Sequence, residues 1–161
     1  MSDSSFASFQ RTLESEQATH ALGVEIGKIL CPGIVVALIG TLGSGKTRLT
    51  QAIAESLSIS EPVVSPTYTL CVPYAGRVDL LHMDAYRINS PEEVDELNLF
   101  ERVDDGEVLI VEWADRIEAQ LPDIDLRVEL LPVSHETREI TIVAQSEKGD
   151  EIVKSLLASS P

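Results

Sequence analysis

The chain has 161 residues, of which 43% are hydrophobic and 24% are charged. This length is typical of one domain, and the composition is that of a folded globular protein, which excludes wholesale disorder. The 27 acidic residues outnumber the 12 lysines and arginines, so the formal net charge is −15. Such a charge disfavours direct binding to nucleic acid or to an anionic membrane surface, whereas a protein partner with a basic face remains compatible with it.

Two cysteines, Cys31 and Cys71, are far apart in the sequence and form no metal-binding or redox motif. We expect both to be buried free thiols in a reducing compartment. The first residues do not resemble a secretion signal, and the longest apolar run, residues 34–39, is too short to span a bilayer. We therefore expect a soluble, cytoplasmic protein.

The first half of the chain is predicted to alternate between helix and strand. Apolar residues at helical spacing predict a helix over residues 15–30, with Ser15 as its N-cap. The continuous apolar run 34–39 predicts a strand that is buried on both faces, as in a parallel sheet covered by helices. A second amphipathic helix is predicted over residues 46–57.

The second half is predicted to add strands and an antiparallel hairpin. Strands are predicted at residues 68–72, 78–84 and 108–111, with a short helix that starts near Pro91. Alternating apolar and polar residues at 126–130 and 138–142 predict a hairpin with one exposed face, and a loose helix is expected over 149–157.

Together these elements predict a three-layer α/β domain over residues 1–161. Its sheet is expected to be mixed and mainly parallel, as in P-loop NTPases, with the antiparallel hairpin at its C-terminal end. Residues 1–11 and 146–161 are expected to be peripheral.

The most specific motif follows the strand predicted at 34–39. It matches the pattern G-x-x-x-x-G-K-[ST] in full, through Gly40, Thr41, Leu42, Gly43, Ser44, Gly45, Lys46 and Thr47. Glycines allow successive backbone N–H groups to converge on an anion, Lys46 can reach the β and γ phosphates, and the Thr47 hydroxyl can bind Mg²⁺. The motif predicts a nucleotide phosphate site, and its alternative is a glycine turn with an incidental lysine.

A second Mg²⁺ ligand is predicted at Glu112, which follows four apolar residues at the end of a strand. The alternative is a solvated glutamate at a strand end. Trp113 comes next and is the only tryptophan. A single tryptophan at this place is either a core or interface residue or a residue that stacks on a nucleotide base.

Three polar side chains, those of His82, Asp84 and Tyr86, share one face of the strand predicted at 78–84. Asp84 is predicted near the γ phosphate or the metal, where it could orient the attacking water, and His82 could polarise or position that water. The alternative is a buried His–Asp pair with a structural role.

Two hydroxyl residues, Ser65 and Thr67, flank Pro66, which stiffens the backbone between a helix and a strand. Their hydroxyls could sense the γ phosphate in a switch-like loop. The alternative is a plain turn.

Taken in order, these motifs resemble the bacterial TsaE (YjeE) family over residues 15–138. The matching segments are the phosphate loop, Ser-Pro-Thr-Tyr at 65–68, His-x-Asp-x-Tyr-Arg at 82–87, Glu-Leu-Asn-Leu at 96–99 and Val-Glu-Trp at 111–113. The resemblance implies an ATPase that acts with TsaB, TsaC and TsaD to make threonylcarbamoyladenosine in certain tRNAs. It also implies docking on the TsaB–TsaD pair, ATP turnover that resets this complex, and contact with tRNA only through these partners.

By the same resemblance, Asp84 is important for catalysis, Trp113 lies at the nucleotide pocket and Glu112 completes the metal site. The residues predicted to act in catalysis are Asp84, Lys46 and His82. Those predicted to bind ATP are residues 40–47, Thr67 and Trp113, and those predicted to bind Mg²⁺ are Thr47 and Glu112.

The chain departs from the family pattern at two positions. Asn98 stands where the family usually has glycine, although asparagine also tolerates a left-handed backbone. Ala114 replaces the usual proline after Trp113. Both changes could alter how this edge of the protein meets a partner.

Two other functions remain open from the sequence. A small-molecule kinase would need an arginine-rich lid, which residues 86–108 lack, and a non-catalytic adaptor gated by nucleotide would not need Asp84. The chain has no Asn-Lys-x-Asp motif, so ATP is favoured over GTP.

Overall fold

The computed structural model describes residues 5–64, 66 and 70–159, and its strands form one seven-stranded sheet. The strands are β1 (Ser8–Leu13), β2 (Val35–Ile39), β3 (Cys71–Tyr74), β4 (Leu80–Asp84), β5 (Val108–Glu112), β6 (Leu126–Pro132) and β7 (Arg138–Ala144). The helices are α1 (Glu16–Ile29), α2 (Lys46–Ser56), α3 (Pro91–Asp95), α4 (Leu99–Asp104) and α5 (Glu147–Ser159), with 3₁₀ turns at Ala114–Arg116 and Glu118–Gln120.

The sheet is mixed, with a parallel centre and antiparallel edges. Its strand order is β1-β7-β6-β2-β5-β4-β3. Strands β6, β2, β5 and β4 run parallel to one another, whereas β7 pairs antiparallel with both β1 and β6, and β3 pairs antiparallel with β4. The predicted C-terminal hairpin is thus confirmed as β6 and β7.

Helices cover both faces of the sheet. Along β2, Val36 and Leu38 belong to a core shared with α1, α2 and α5, whereas Val35 and Ala37 belong to a second core with α3, α4 and the 3₁₀ turns. Burial on both faces explains why this strand has no polar residue. The predicted three-layer α/β architecture is confirmed.

Both ends of the chain contribute to the first core, so the expectation that residues 1–11 and 146–161 are peripheral is wrong for the described parts of these segments. Strand β1 extends the sheet and buries Phe9 and Leu13, and α5 buries Ile152, Val153 and Leu156. Exposed polar residues separate the buried ones in β1, which makes its apolar pattern weak in the sequence.

The cysteines also differ from expectation. Cys31 is exposed and Cys71 is half-buried, so the expectation that both thiols are buried is wrong. Burial raises the pKa of the Cys71 thiol above its ordinary value. None of the helices in the described part of the chain combines the length and apolar character needed to cross a lipid bilayer.

The docking of α5 can be tested at Gly149, which lies against the backbone before β6. A Cβ atom at this position would overlap the carbonyl oxygen of Asp125. Because backbone cannot move aside as a flexible side chain does, we expect Gly149→Ala to lower the free energy of unfolding by about 1–3 kcal/mol.

Urea denaturation measures this effect. Ser155→Ala on the exposed side of α5 is the control, and its stability is expected to change by less than about 0.5 kcal/mol. Equal stability of the two variants would contradict the packing of α5 described here.

Candidate nucleotide-binding site

The glycine-rich loop leads from the carboxyl end of β2 to the first residue of α2. Gly43 and Gly45 have φ angles of +77° and +103°, a backbone conformation that favours glycine. At Gly40 the reason for glycine is lack of space rather than the φ angle. A Cβ there would lie 2.6 Å from the Ser44 hydroxyl oxygen and 2.7 Å from the Leu130 carbonyl oxygen. The sequence motif therefore forms the tight strand-to-helix loop whose amides can surround an anion.

Lys46 crosses this loop with its side chain almost entirely buried. Its Nζ donates to the carbonyl oxygens of Gly40, at 2.7 Å, and Thr41, at 3.0 Å. The ammonium also lies 4.3 Å from the centre of the Trp113 ring, a cation–π contact. Burial lowers the pKa of Lys46, and the nearby carboxylates, Glu112 foremost, act in the opposite direction.

Glu112 ends β5 and contacts both Thr47 and His82. The Thr47 hydroxyl donates to its carboxylate, with Oγ1 lying 3.1 Å from Oε1 and 3.3 Å from Oε2. Nε2 of His82 lies 2.6 Å from Oε2 of the same carboxylate. Thr47 and Glu112, the two predicted metal ligands, are therefore side by side.

His82 lies behind this carboxylate and is fully buried. Its Nδ1 has no hydrogen-bond partner among the described residues. The sequence allowed a buried His–Asp pair, but His82 is paired with Glu112 instead. Its side chain has no exposed surface, and within the site it contacts the Glu112 carboxylate.

Asp84 ends β4 and lies in parallel register with Glu112 at the end of β5. Its Oδ1 accepts a hydrogen bond of 2.9 Å from the backbone N–H of Tyr86. Because β4 ends at Asp84, Tyr86 does not continue the strand face that the sequence predicted for these three residues. The Tyr86 ring instead lies 5.0 Å, centre to centre, from that of Trp113.

Trp113 leaves β5 in a left-handed conformation, with φ of +59°. Its backbone N–H donates to the carbonyl of Leu38 at 3.1 Å, which anchors the turn to β2. Asn98 is also left-handed, with φ of +55°, as expected for a residue in place of glycine. Ala114 is buried at the start of the 3₁₀ turn that follows Trp113.

Cavities lie on both sides of the loop. One of about 280 Å³ is lined by residues 42–48 together with Asp84, Glu112 and Trp113. A cavity of about 210 Å³ continues from it past Tyr86 and Arg87. On the other side of the loop, a cavity of about 470 Å³ lies between the start of α1 and the turn that joins β6 to β7.

The structure thus brings Lys46, Thr47, Asp84, Glu112 and Trp113 around one cavity. The predicted sensor residues Ser65 and Thr67 lie outside the described residues. In the part of the chain that is described, no group of three His, Cys, Asp or Glu side chains could hold a metal ion.

Arg138, which the sequence analysis did not identify, also contacts the loop. It donates to the carbonyl oxygens of Gly43, at 2.9 Å, and Ser44, at 3.2 Å, from the first position of β7. The contact joins residues 94 positions apart. No local pattern could have revealed it, because it depends on the position of β7 in the sheet.

Comparisons with known proteins agree on one family. The family model described as "Threonylcarbamoyl adenosine biosynthesis protein TsaE" matches residues 13–140. A protein of Treponema pallidum named tRNA threonylcarbamoyladenosine biosynthesis protein TsaE is 38% identical over 128 residues, which are 80% of this chain and 95% of that protein. A protein of the same name from Bacillus subtilis is 37% identical over 147 residues, 91% of each chain. The crystal structure of YdiB from Bacillus subtilis superposes with a TM-score of 0.82 at 30% identity, covering 95% of this chain and 96% of that one.

Proposed function

The chain belongs to the TsaE family of threonylcarbamoyl adenosine biosynthesis proteins, and we propose that it binds and hydrolyses ATP in the machinery that makes threonylcarbamoyladenosine in tRNA. One observation above all supports this proposal: Thr47 of the phosphate loop lies 3.1 Å from the buried carboxylate of Glu112. Lys46 lines the same cavity, where its positive charge can balance the negative charge of a triphosphate.

The residues present fit Mg²⁺. The ion prefers octahedral oxygen ligands at 2.0–2.1 Å, so two neighbouring ligand oxygens are separated by roughly 2.9 Å. The Thr47 hydroxyl and the Glu112 carboxylate are hard oxygen donors at nearly this separation. We propose that they hold the ion, which when bound neutralises charge on the β and γ phosphates.

Lys46 and Asp84 have different roles in this proposal. The Lys46 ammonium, which the loop carbonyls and the Trp113 ring hold in place, supplies positive charge to the phosphates. The Asp84 carboxylate faces the same cavity and accepts a proton or a hydrogen bond from the attacking water.

His82 and Trp113 act on these groups rather than on the reacting atoms. The contact between His82 and Glu112 fixes the orientation of the carboxylate. Trp113 lines the cavity, and its ring faces the Lys46 ammonium. We propose that the indole orients Lys46; stacking on the base remains a prediction.

We propose the TsaB–TsaD pair as direct partner, TsaC as a functional partner, and contact with tRNA only through them. The charge of −15 supports indirect contact, because this chain and a phosphate backbone repel one another.

Leu42 of the phosphate loop is 74% exposed, and Tyr86 is 44% exposed at the same opening. Apolar exposure beside a reaction site is typical of a surface that a partner covers.

Phosphate release from Mg·ATP tests the proposal, measured for the purified chain with and without TsaB and TsaD. We expect slow turnover alone and faster turnover with the partners. Lys46→Ala should lower phosphate release by on the order of 100-fold, because it removes the ammonium that the loop carbonyls hold at the proposed phosphate site.

Lys148→Ala is the matched control, since it removes an exposed lysine of α5, and it is expected to retain the wild-type rate. Phosphate release that is the same in the Lys46 variant and the wild type, with partners present, would refute the proposed activity.

A further inference from the structure

Arg138 joins the phosphate loop to the turn between β6 and β7. Two of its hydrogen bonds reach the loop carbonyls of Gly43 and Ser44. Nη1 donates to three carbonyl oxygens of the turn, those of Ser134 at 2.9 Å, Thr137 at 3.1 Å and His135 at 3.2 Å. Within the described residues the guanidinium therefore bonds to backbone carbonyls on both sides of the cavity of about 470 Å³.

These contacts determine the direction of a loop amide. In a planar trans peptide the C=O and the following N–H point in opposite directions. Holding the Ser44 carbonyl toward Arg138 therefore turns the Gly45 N–H away from Arg138. Gly45 is the N-cap of α2, where unpaired amides face an incoming anion.

Among the residues that the structure describes, other groups in the loop do not provide the same support. The Ser44 hydroxyl is buried and has no hydrogen-bond partner in the described part of the chain. The Ser44 amide donates to the Thr41 carbonyl at 3.1 Å, which closes the turn but does not involve the peptide between Ser44 and Gly45. Of the described side chains, it is therefore Arg138 that holds the peptide between Ser44 and Gly45.

We propose that Arg138 is a positioning residue for phosphate binding, which keeps the Gly45 amide directed at the nucleotide. This inference rests on the proposed binding of a nucleotide by the loop. The planar fork of arginine suits this position, because its donors are spread over three nitrogens that reach the loop and the turn, whereas the three donors of a lysine ammonium share one nitrogen.

The test compares Arg138→Gln, Arg138→Lys and a matched control, Arg127→Gln. Arg127 lies on the neighbouring strand β6 and pairs with Glu118 and Glu129 rather than with the loop. We expect Arg138→Gln to raise the Kd for Mg·ADP roughly tenfold by calorimetry, as for the loss of hydrogen bonds that support a charged ligand. Arg138→Lys should give a smaller rise, and Arg127→Gln should bind as the wild type does.

Glycine-selective ¹⁵N labelling distinguishes positioning from a general loss of stability, because the chain has only nine glycines. We expect the Gly45 amide resonance of the nucleotide-free protein to shift in Arg138→Gln and to stay in place in Arg127→Gln. An unmoved Gly45 resonance, or a Kd within twofold of wild type, would overturn the inference. Failure of the wild type to bind Mg·ADP would instead refute the proposed function, and the Gly45 resonance would still test the role of Arg138.

Discussion

Asp84→Asn is expected to lower the rate of phosphate release by about 10²–10⁴-fold, the range for loss of a general base. Binding of Mg·ATP is expected to remain within a few-fold of wild type, because the proposed phosphate and metal ligands Lys46, Thr47 and Glu112 are unchanged. Asparagine retains an oxygen for the Tyr86 N–H, so the local turn is preserved. Single-turnover phosphate release and calorimetric binding measure the two effects separately.

Asp115→Asn is the matched control for this variant. Asp115 is exposed, and like Asp84 it acts electrostatically on Lys46, so the control removes a comparable charge without removing the proposed base. It is expected to retain near-wild-type turnover. If Asp84→Asn hydrolyses ATP as fast as this control, Asp84 is not the catalytic base and its proposed role is wrong.

Glu112→Gln is expected to abolish the effect of Mg²⁺ on nucleotide binding and to lower turnover by on the order of 10²–10³-fold. Glutamine lacks the negative charge that Mg²⁺ prefers, yet it keeps an oxygen near Thr47 and His82. Titration of ATP with and without Mg²⁺ measures the loss directly. Glu107→Gln, which alters the carboxylate just before the opposite end of β5, should leave the Mg²⁺ dependence intact.

A Glu112 variant that still shows wild-type Mg²⁺ dependence would contradict the proposed metal site. Glu112→Ala serves a different purpose, because it leaves the buried His82 ring without a partner at Nε2. We expect this second variant to lose about 1–3 kcal/mol of folding stability. A stability equal to that of Glu112→Gln would mean that the contact between His82 and Glu112 is not maintained.

Features that depend on neighbouring residues in the sequence were predicted well. The glycine-rich loop between a strand and a helix was predicted because its glycines, Lys46 and Thr47 occur at fixed spacing. The burial of β2 on both faces followed from its uninterrupted apolar run. The exposed face of the β6–β7 hairpin followed from the alternation of apolar and polar residues in its two strands. Asn98 was expected to tolerate a left-handed backbone, and its φ is positive.

Features that depend on the order of strands in the sheet were not predicted. His82 pairs with Glu112 because β4 and β5 are adjacent and parallel, whereas the sequence only placed His82 and Asp84 on one strand. Arg138 reaches the loop because β7 lies next to β6, and β6 lies next to β2 in the sheet. Near the N-terminus, β1 was not predicted, because only two of its six residues have buried side chains and so few apolar positions do not define a strand pattern.

The central claim is that one cavity binds a triphosphate at Lys46 and a metal ion shared by Thr47 and Glu112. A crystal structure with a non-hydrolysable ATP analogue and Mn²⁺ in place of Mg²⁺ tests it most directly, because anomalous scattering locates the ion. We expect the phosphates within the loop and the ion bound by Thr47 and, directly or through one water, by Glu112. A triphosphate bound elsewhere, or an ion with Glu112 turned away from it, would contradict the account.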